Sequence, residues 1–590
     1  MQIRQKVFRG TKPRVSPQLL DPSQAQVARN CDLQFGDLRP ISGVSTVATL
    51  SVFGQLRSLF KSGGTWLAWP SLVDVIFSPT YNKLRRFCFT GDGEPKKSDS
   101  SMAGDGADTM SSYGLGVPAP VLPLTVSIDP ASSTADTLRS TSYVYTYVTT
   151  WGEESAPSSE TAVFEVKSDQ TVSVSTNAFP PDGYNIAFWR LYRIAVGTKN
   201  AEFQFVDEIS VSDTSYQDSK SDSDLGAILE TSDYTAPVSP WSANAFYYTG
   251  QRAVSEGTVY RCIKNVTKLP AENPSIDTAS WEISDGLSGL TALSNGVLAA
   301  FDSNELYMSM PYIPYAWPLS YNLTAEYPIV SLGHYSNTLV VLTQGWPYLS
   351  DGLNPSAAGL TKIDSMQPCI NRRGVVSGSN FVLYPSPDGL VSLGENGLSV
   401  LTSDVLTKKQ WSDLQPDKFI SFWYDGKYIC FIEGSNLGYI INLNNGITIE
   451  TITLDTSLRV WGGYIDIESD GLFLLCDRGD LTYTVERYDA GTQLQYTWKS
   501  KPFSVPQYTA ISAARVKGDF SSGVTFTFFG DGAQVHQATI SDSKPFRLPA
   551  GRWRTLEYAV SGTDRVEEIA LATSVGELMQ LDSEATQTLG

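Results

Sequence analysis

The chain has 590 residues, enough for about three to five domains, and 41% of them are hydrophobic, enough to build real cores. Lys and Arg total 43 against 62 Asp and Glu, a net charge of −19, which argues against a protein that grips nucleic-acid phosphates over a broad basic face. The two histidines, His334 and His536, are too few for a multi-histidine metal centre and give poor support to a histidine-based triad.

The six cysteines (31, 88, 262, 369, 430 and 476) form no C-x-x-C pair, which speaks against a zinc ribbon or thioredoxin-like chemistry. Several lie in apolar runs such as YIC at 428–430 and are expected to be small core residues. The N-terminus lacks the apolar stretch of a secretory signal, and no run of about 18 apolar residues occurs. The expectation is a soluble acidic protein made in a reducing cytoplasm, with no stable membrane insertion. Aromatic and β-branched runs cut by Gly, Pro, Asn and Asp turns predict a mostly β class.

In chain order, residues 1–44 are expected to form an N-terminal arm or clasp. It carries one short helix, with Asp21 as N-cap, Pro22 in the first turn and SQAQVARN following. Residues 45–120 are expected to hold a first propeller blade and a junction, from Gly63-Gly64, TWLAW and LRRFCFTGDG at 84–93. In 121–240, Tyr143, Tyr145 and Tyr147 alternate with Val144, Thr146 and Val148, and NIAFWRLYRI and FQFVDEI add two more alternating strands. About 100 residues of this kind suggest an immunoglobulin-like sandwich resembling fibronectin type III modules, with an all-β region of other topology as the alternative.

From 286 to 495 the chain repeats. Apolar strand centres at Leu298, Leu339, Val382, Ile429 and Phe473 are 41, 43, 47 and 44 residues apart. Each follows a turn pair, such as Asn295-Gly296 or Asp425-Gly426. A period of about 40–45 residues with several strands per unit predicts β-propeller blades, with 54–93 supplying a further blade that closes the ring. Hairpins stacked in two separate sheets are the alternative. Residues 496–590, with VTFTFFGDG and RTLEYAVSG, are expected to form a C-terminal β-sandwich.

Candidate chemistry is sparse. Asp207 with Glu208, or Asp74 with Glu94, could be named as glycosidase-like pairs, but 62 acidic residues make chance pairs inevitable. FTGDGEP at 89–95 and FGDGA at 529–533 lack the setting of a phosphate cradle and are expected to be hairpin turns. SDSDLGA at 221–227 lacks the length of an EF-hand loop. No catalytic residue, metal or cofactor is predicted.

Residues 241–285 are more specific: Tyr248 before a Gly-Gln turn, the strand 259–262, Asn273-Pro274, then Trp281. The pattern resembles small aromatic modules that bind chitin-like polysaccharides in bacterial hydrolases. Tyr248, Tyr260 and Trp281 are the candidate glycan-contacting residues, by stacking on sugar faces. The alternative is that Tyr260 and Trp281 form the module's own core.

Several stretches together resemble the tail nozzle (tail tubular) proteins of short-tailed bacteriophages. They are RGTKPRVSPQLLDPSQAQVARNCDLQFGDLRPISG at 9–43, YGLGVPAP at 113–120, WGEESAPS at 151–158 with WRLYR at 189–193, and near the end YTWKSKPF, ISAARVKGDF and RLPAGRWRTLEYAVSGTDRVEEIALATS. The resemblance implies a structural virion protein, assembled in the host bacterial cytoplasm into a hexameric tail nozzle that conducts the genome during ejection. Its implied partners are five further copies, tail adaptor or portal-proximal ring proteins, tail fibres or spikes, and double-stranded DNA that passes without specific binding. A host surface glycan could engage the 241–285 module, which is not a fixed feature of that family. The net acidity then acquires a reading, because a lumen that repels the duplex keeps it mobile. The competing classes are a tail-associated glycan-binding adhesin and a polysaccharide-degrading enzyme.

Overall fold

A computed structural model describes residues 2–51, 54–102, 110–130, 132–176, 179–194, 202–352, 354–443, 446–479 and 482–579. The chain is a mostly β protein, a β-propeller with an inserted immunoglobulin-like sandwich, a small aromatic β module and a C-terminal β-sandwich. It divides into two compact units, one of Met1–Lys61 with Gln367–Gly590 and one of Ser62–Met366.

The second unit holds three four-stranded blades. The first is Asp74–Phe77, Phe87–Thr90, Lys96–Ser98 and Tyr113–Gly114; the second is Ser288–Ala292, Leu298–Asp302, Glu305–Met308 and Leu323–Thr324. Ile329–Tyr335, Thr338–Thr343, Tyr348–Asp351 and Thr361–Lys362 make the third. In the other unit lie the blades built from Val376–Val400, from Phe419–Thr453, and from Arg459–Arg487 with Ser45–Leu50. All five repeat centres, Leu298, Leu339, Val382, Ile429 and Phe473, sit on the second strand of their sheets and are buried.

Strand alternation explains why these runs are apolar on both faces. Leu298 and Ala300 pack with Cys88 toward the first blade, whereas Ala299 and Phe301 pack with Leu339 and Val341 of the third. In the other unit, Tyr428, Cys430 and Ile432 face Leu383 and Leu390, and Ile429 and Phe431 face Leu472 and Leu474. A blade's central strand thus serves two interfaces, each buried Leu, Ile or Phe contributing about 1.5–3 kcal/mol. Asp425-Gly426, with φ of 50° and 68°, makes the two-residue turn that this right-handed twist favours.

The N-terminal segment corrects two expectations. The predicted helix is absent: Ala25–Arg29 is a strand, antiparallel to Tyr496–Ser500 and bridged in parallel to Thr451. Ala25 and Ala28 are buried in the core of the C-terminal sandwich, and pairing on both edges outweighs a helix propensity of a few tenths of a kcal/mol per residue. Asp21 instead closes a turn, accepting from the Ser23 amide at 2.8 Å. Ser45–Leu50, assigned by sequence to the first blade, pairs with Tyr483–Arg487 of the last. Gln2–Gln5 pairs with Arg565–Ala572, so the N-terminus contributes strands to both sheets of the sandwich.

The insert stacks the sheet Thr125–Asp129, Thr171–Ser175, Ser215–Asp218 on Tyr143–Thr149, Ile186–Ile194, Phe203–Ser210. Its core collects Tyr143, Tyr145, Tyr147, Val172, Val174, Trp189 and Leu191, the tyrosine face predicted from the alternation.

Candidate functional site

The 241–285 module is a small sheet of Ser239–Pro240, Arg252–Ser255, Thr258–Cys262 and Trp281–Ile283, with a tight turn at Glu256-Gly257. Asn273 holds its loop by accepting from Ser275 N and Oγ. Trp281 is 2% exposed and meets Tyr247 edge-on at 4.9 Å, inside a core with Ala253, Cys262, Val266 and Ala271. Tyr260 is half-buried against that core. Trp281 is therefore a core residue and not an exposed stacking platform; a module this small needs its largest ring inside. Of the three aromatic candidates only Tyr248, 52% exposed, offers its ring to solvent. Burial pushes the Tyr247 hydroxyl up to about 12, and that hydroxyl accepts from the Ser242 amide at 2.7 Å.

Two arginines bind the module to the second blade. Arg252, 6% exposed, reaches Asp302 at 2.5 and 2.8 Å and lies 4.3 Å over the Tyr307 ring. Arg261 meets Glu305 at 2.7 Å, and Ser284 also donates to Asp302 at 2.7 Å.

Beside the module lies a cleft of about 610 Å³. Its walls come from the module (Trp241, Phe246, Tyr248), the sandwich insert (Phe179) and the blade region (Leu319). Phe179 is 80% exposed and Phe246 51%. Sequence reading missed the cleft because its residues lie far apart in the chain; the only local signal was the run of aromatics at 241–248.

The WGEESAPS segment joins the insert to the first blade. Trp151 is flanked by Arg86 and Lys97, 4.1 and 5.4 Å from its ring, and Glu153 pairs with the buried Lys97. Glu154 accepts from Thr146 Oγ1 and the Tyr192 hydroxyl, both at 2.7 Å, and pairs with Arg190. Ser155 and Ser158 accept from the backbone amides of Tyr147 and Tyr145. The motif is thus spent on architecture.

The carboxylates paired from sequence are each engaged by a different protein group. Asp207 accepts from the Tyr216 hydroxyl while Glu208 pairs with Arg190. Asp74 accepts from the Gly289 amide, and Glu94 from the Tyr184 hydroxyl. In SDSDLGA, Asp222 pairs with Arg139 and Arg193. Both Gly-Asp-Gly segments are hairpin turns, with Asp531-Gly532 joining Val524–Gly530 to Ala533–Ile540. All six cysteines are buried and free, and burial raises the thiols of Cys88 and Cys369 to about 12.

One perturbed carboxyl went unnoticed in the sequence. Glu450, 3% exposed on Thr448–Thr453, borders a cavity of about 100 Å³ with Cys31, Asp32, Tyr424, Lys427 and Tyr488. Burial lifts its carboxyl to about 8, and Asp32 adds to the rise while Lys427 opposes it. A single acid within the β-branched run TIETIT was the available signal. The N-terminal segment covers it: Thr11 and Ile449 exchange backbone hydrogen bonds at 3.0 and 3.1 Å.

Among the described residues, no His, Cys, Asp and Glu side chains group to hold a metal ion, and no helix is long and apolar enough to cross a membrane.

No family model matches the chain, and no curated protein matches it. Among solved structures it is similar to Myxococcus xanthus glutaminyl cyclase, at 12% identity and a TM-score of 0.20, over 34% of this chain and 90% of that one. It is similar to the WD40 domain of Neurospora crassa Pan2 at 7% identity and a TM-score of 0.24, over 55% and 87%. A third is an exo-β-1,3-galactanase from Phanerochaete chrysosporium, at 8% identity and a TM-score of 0.19, over 48% and 95%. Likenesses this weak carry no functional argument.

Proposed function

We propose that this chain is a structural subunit of a short-tailed bacteriophage tail, forming a hexameric nozzle through which the genome leaves the particle. The supporting observation is the order of parts along the chain. An N-terminal clasp threads into the last blade and the C-terminal sandwich, an immunoglobulin-like insert separates the first and second blades, and the sandwich ends the chain. The succession of blade, insert, further blades and sandwich is the one the sequence resemblance implies, although the short helix it implied near the N-terminus is the strand Ala25–Arg29.

The physical demands of a conduit agree with it too. A subunit exposed to moving DNA must resist being pulled open, and Ala25–Arg29 joins a blade sheet and a sandwich sheet into one ten-stranded ladder. The −19 net charge keeps phosphate contacts few, so a duplex is not held during transit.

The test is assembly. The purified chain is mixed with the tail adaptor ring of its particle and examined by sedimentation and electron microscopy. Sixfold density below the adaptor is expected; a chain that stays monomeric and adds no density there refutes the reading.

A further inference from the structure

We infer that the cleft between the aromatic module, the sandwich insert and the second blade is a binding site for a neutral oligosaccharide. Three features of its wall point to that ligand.

The first is ring faces open to solvent. Tyr248 and Phe246 of the module and Phe179 of the insert are all at least half exposed. Large aromatic rings left exposed in a concave site are costly to hydrate and available for stacking.

The second is electrical neutrality. Among the described residues Arg252 is the one charged residue in the lining, and Asp302 neutralises it while Tyr307 covers its guanidinium. Phosphorylated, sialylated or cationic ligands find no free counter-charge there, and burying an unpaired charge is strongly unfavourable.

The third is the polar complement. The side-chain amide of the exposed Asn244 and the Gln251 Nε2 make no hydrogen bond with any described residue. Asn244 presents a donor and an acceptor together, which adjacent sugar hydroxyls satisfy at once. A proline-rich peptide also stacks on aromatic rings, but its carbonyls only accept, so it would use the amide donors and leave the exposed Asn244 oxygen to water. A volume of about 610 Å³ lies within the usual range for sites that enclose a small ligand.

The site differs from the one expected from sequence. It keeps Tyr248, excludes Trp281, and recruits Phe179 from another domain more than 60 residues earlier in the chain. It stands apart from the conduit reading, since a chain that assembles into rings and ignores sugars refutes this inference alone.

The experiment is calorimetric titration of the full chain with chitotriose, cellotriose and maltotriose, with 3′-sialyllactose and decaproline as comparisons. At least one neutral trisaccharide is expected to bind, and more tightly than either comparison. Tyr248→Ala and Phe179→Ala, both at exposed positions, are each expected to weaken binding about tenfold, the loss of one stacked ring. Circular dichroism and thermal melts of both variants should match the parent. Absence of binding by all three neutral sugars at about 10 mM, a range covering weak ligands, overturns the proposal. So does binding of decaproline alone. Unchanged sugar affinity in Phe179→Ala would also overturn it, by placing the site on the module instead of in the cleft.

Discussion

Replacing Glu450 by Gln should make the protein more stable, and increasingly so as pH rises. The carboxyl is buried beneath the N-terminal segment and lifted from 4.5 to about 8, chiefly by desolvation. Between those values the folded chain binds a proton that the unfolded chain has released, so stability falls as pH increases. Each pH unit in the window costs about 1.4 kcal/mol, and the full penalty above pH 8 is about 5 kcal/mol. Below about pH 4.5 the carboxyl is protonated in both states and its contribution does not change with pH. Glu450→Gln has no charge to bury, so its advantage over the parent should grow by roughly 3–4 kcal/mol from pH 5.5 to 8.5. Hydrogen exchange of the strand Thr448–Thr453, corrected for intrinsic rates, reads the opening free energy of this region and not of the whole chain. Parallel pH profiles for parent and variant would refute the reasoning, because they would mean the Glu450 charge is already solvated or compensated by Lys427.

Arg252→Met should loosen the aromatic module by about 1–3 kcal/mol, the cost of leaving the largely covered Asp302 carboxylate with Ser284 as its donor in place of the arginine. Exchange in 252–262 reports it, and adding Asp302→Leu should recover part of the loss. Trp281→Ala should unfold the module, at about 3–5 kcal/mol for a buried aromatic, measured by loss of protease resistance within 241–285. A thiol reagent should label none of the six cysteines in the native chain and all of them in denaturant; rapid native labelling would contradict their burial.

The blades were legible because a strand buried on both faces leaves an unbroken apolar run, and the turns between such runs demand particular residues. Leu298, Ile429 and Phe473 each follow a Gly- or Asp-containing turn, so strand centre and period could be read together. Ala25–Arg29 was misread because nothing local distinguishes AQVAR as a strand. Its partners, Tyr496–Ser500 and Thr451, lie more than 400 residues away, and only their free edges determine its state. The same distance hid the pairing of Ser45–Leu50 with the last blade.

The aromatic module shows a sharper limit. Its composition announced stacking residues, yet a sheet of four short strands must first bury a ring to exist, and Trp281 meets that need with Tyr247. Which aromatics remain for a ligand is decided by what the module leans on. Arg252 and Arg261 bind it to Asp302 and Glu305, and Tyr248 and Phe246 of the docked module line one cleft with Phe179 of the insert. The recognition surface is therefore a product of the docking and not of the module alone, and a change at Arg261, which pairs with Glu305 away from the cleft lining, should move sugar affinity without touching the cleft's aromatic rings.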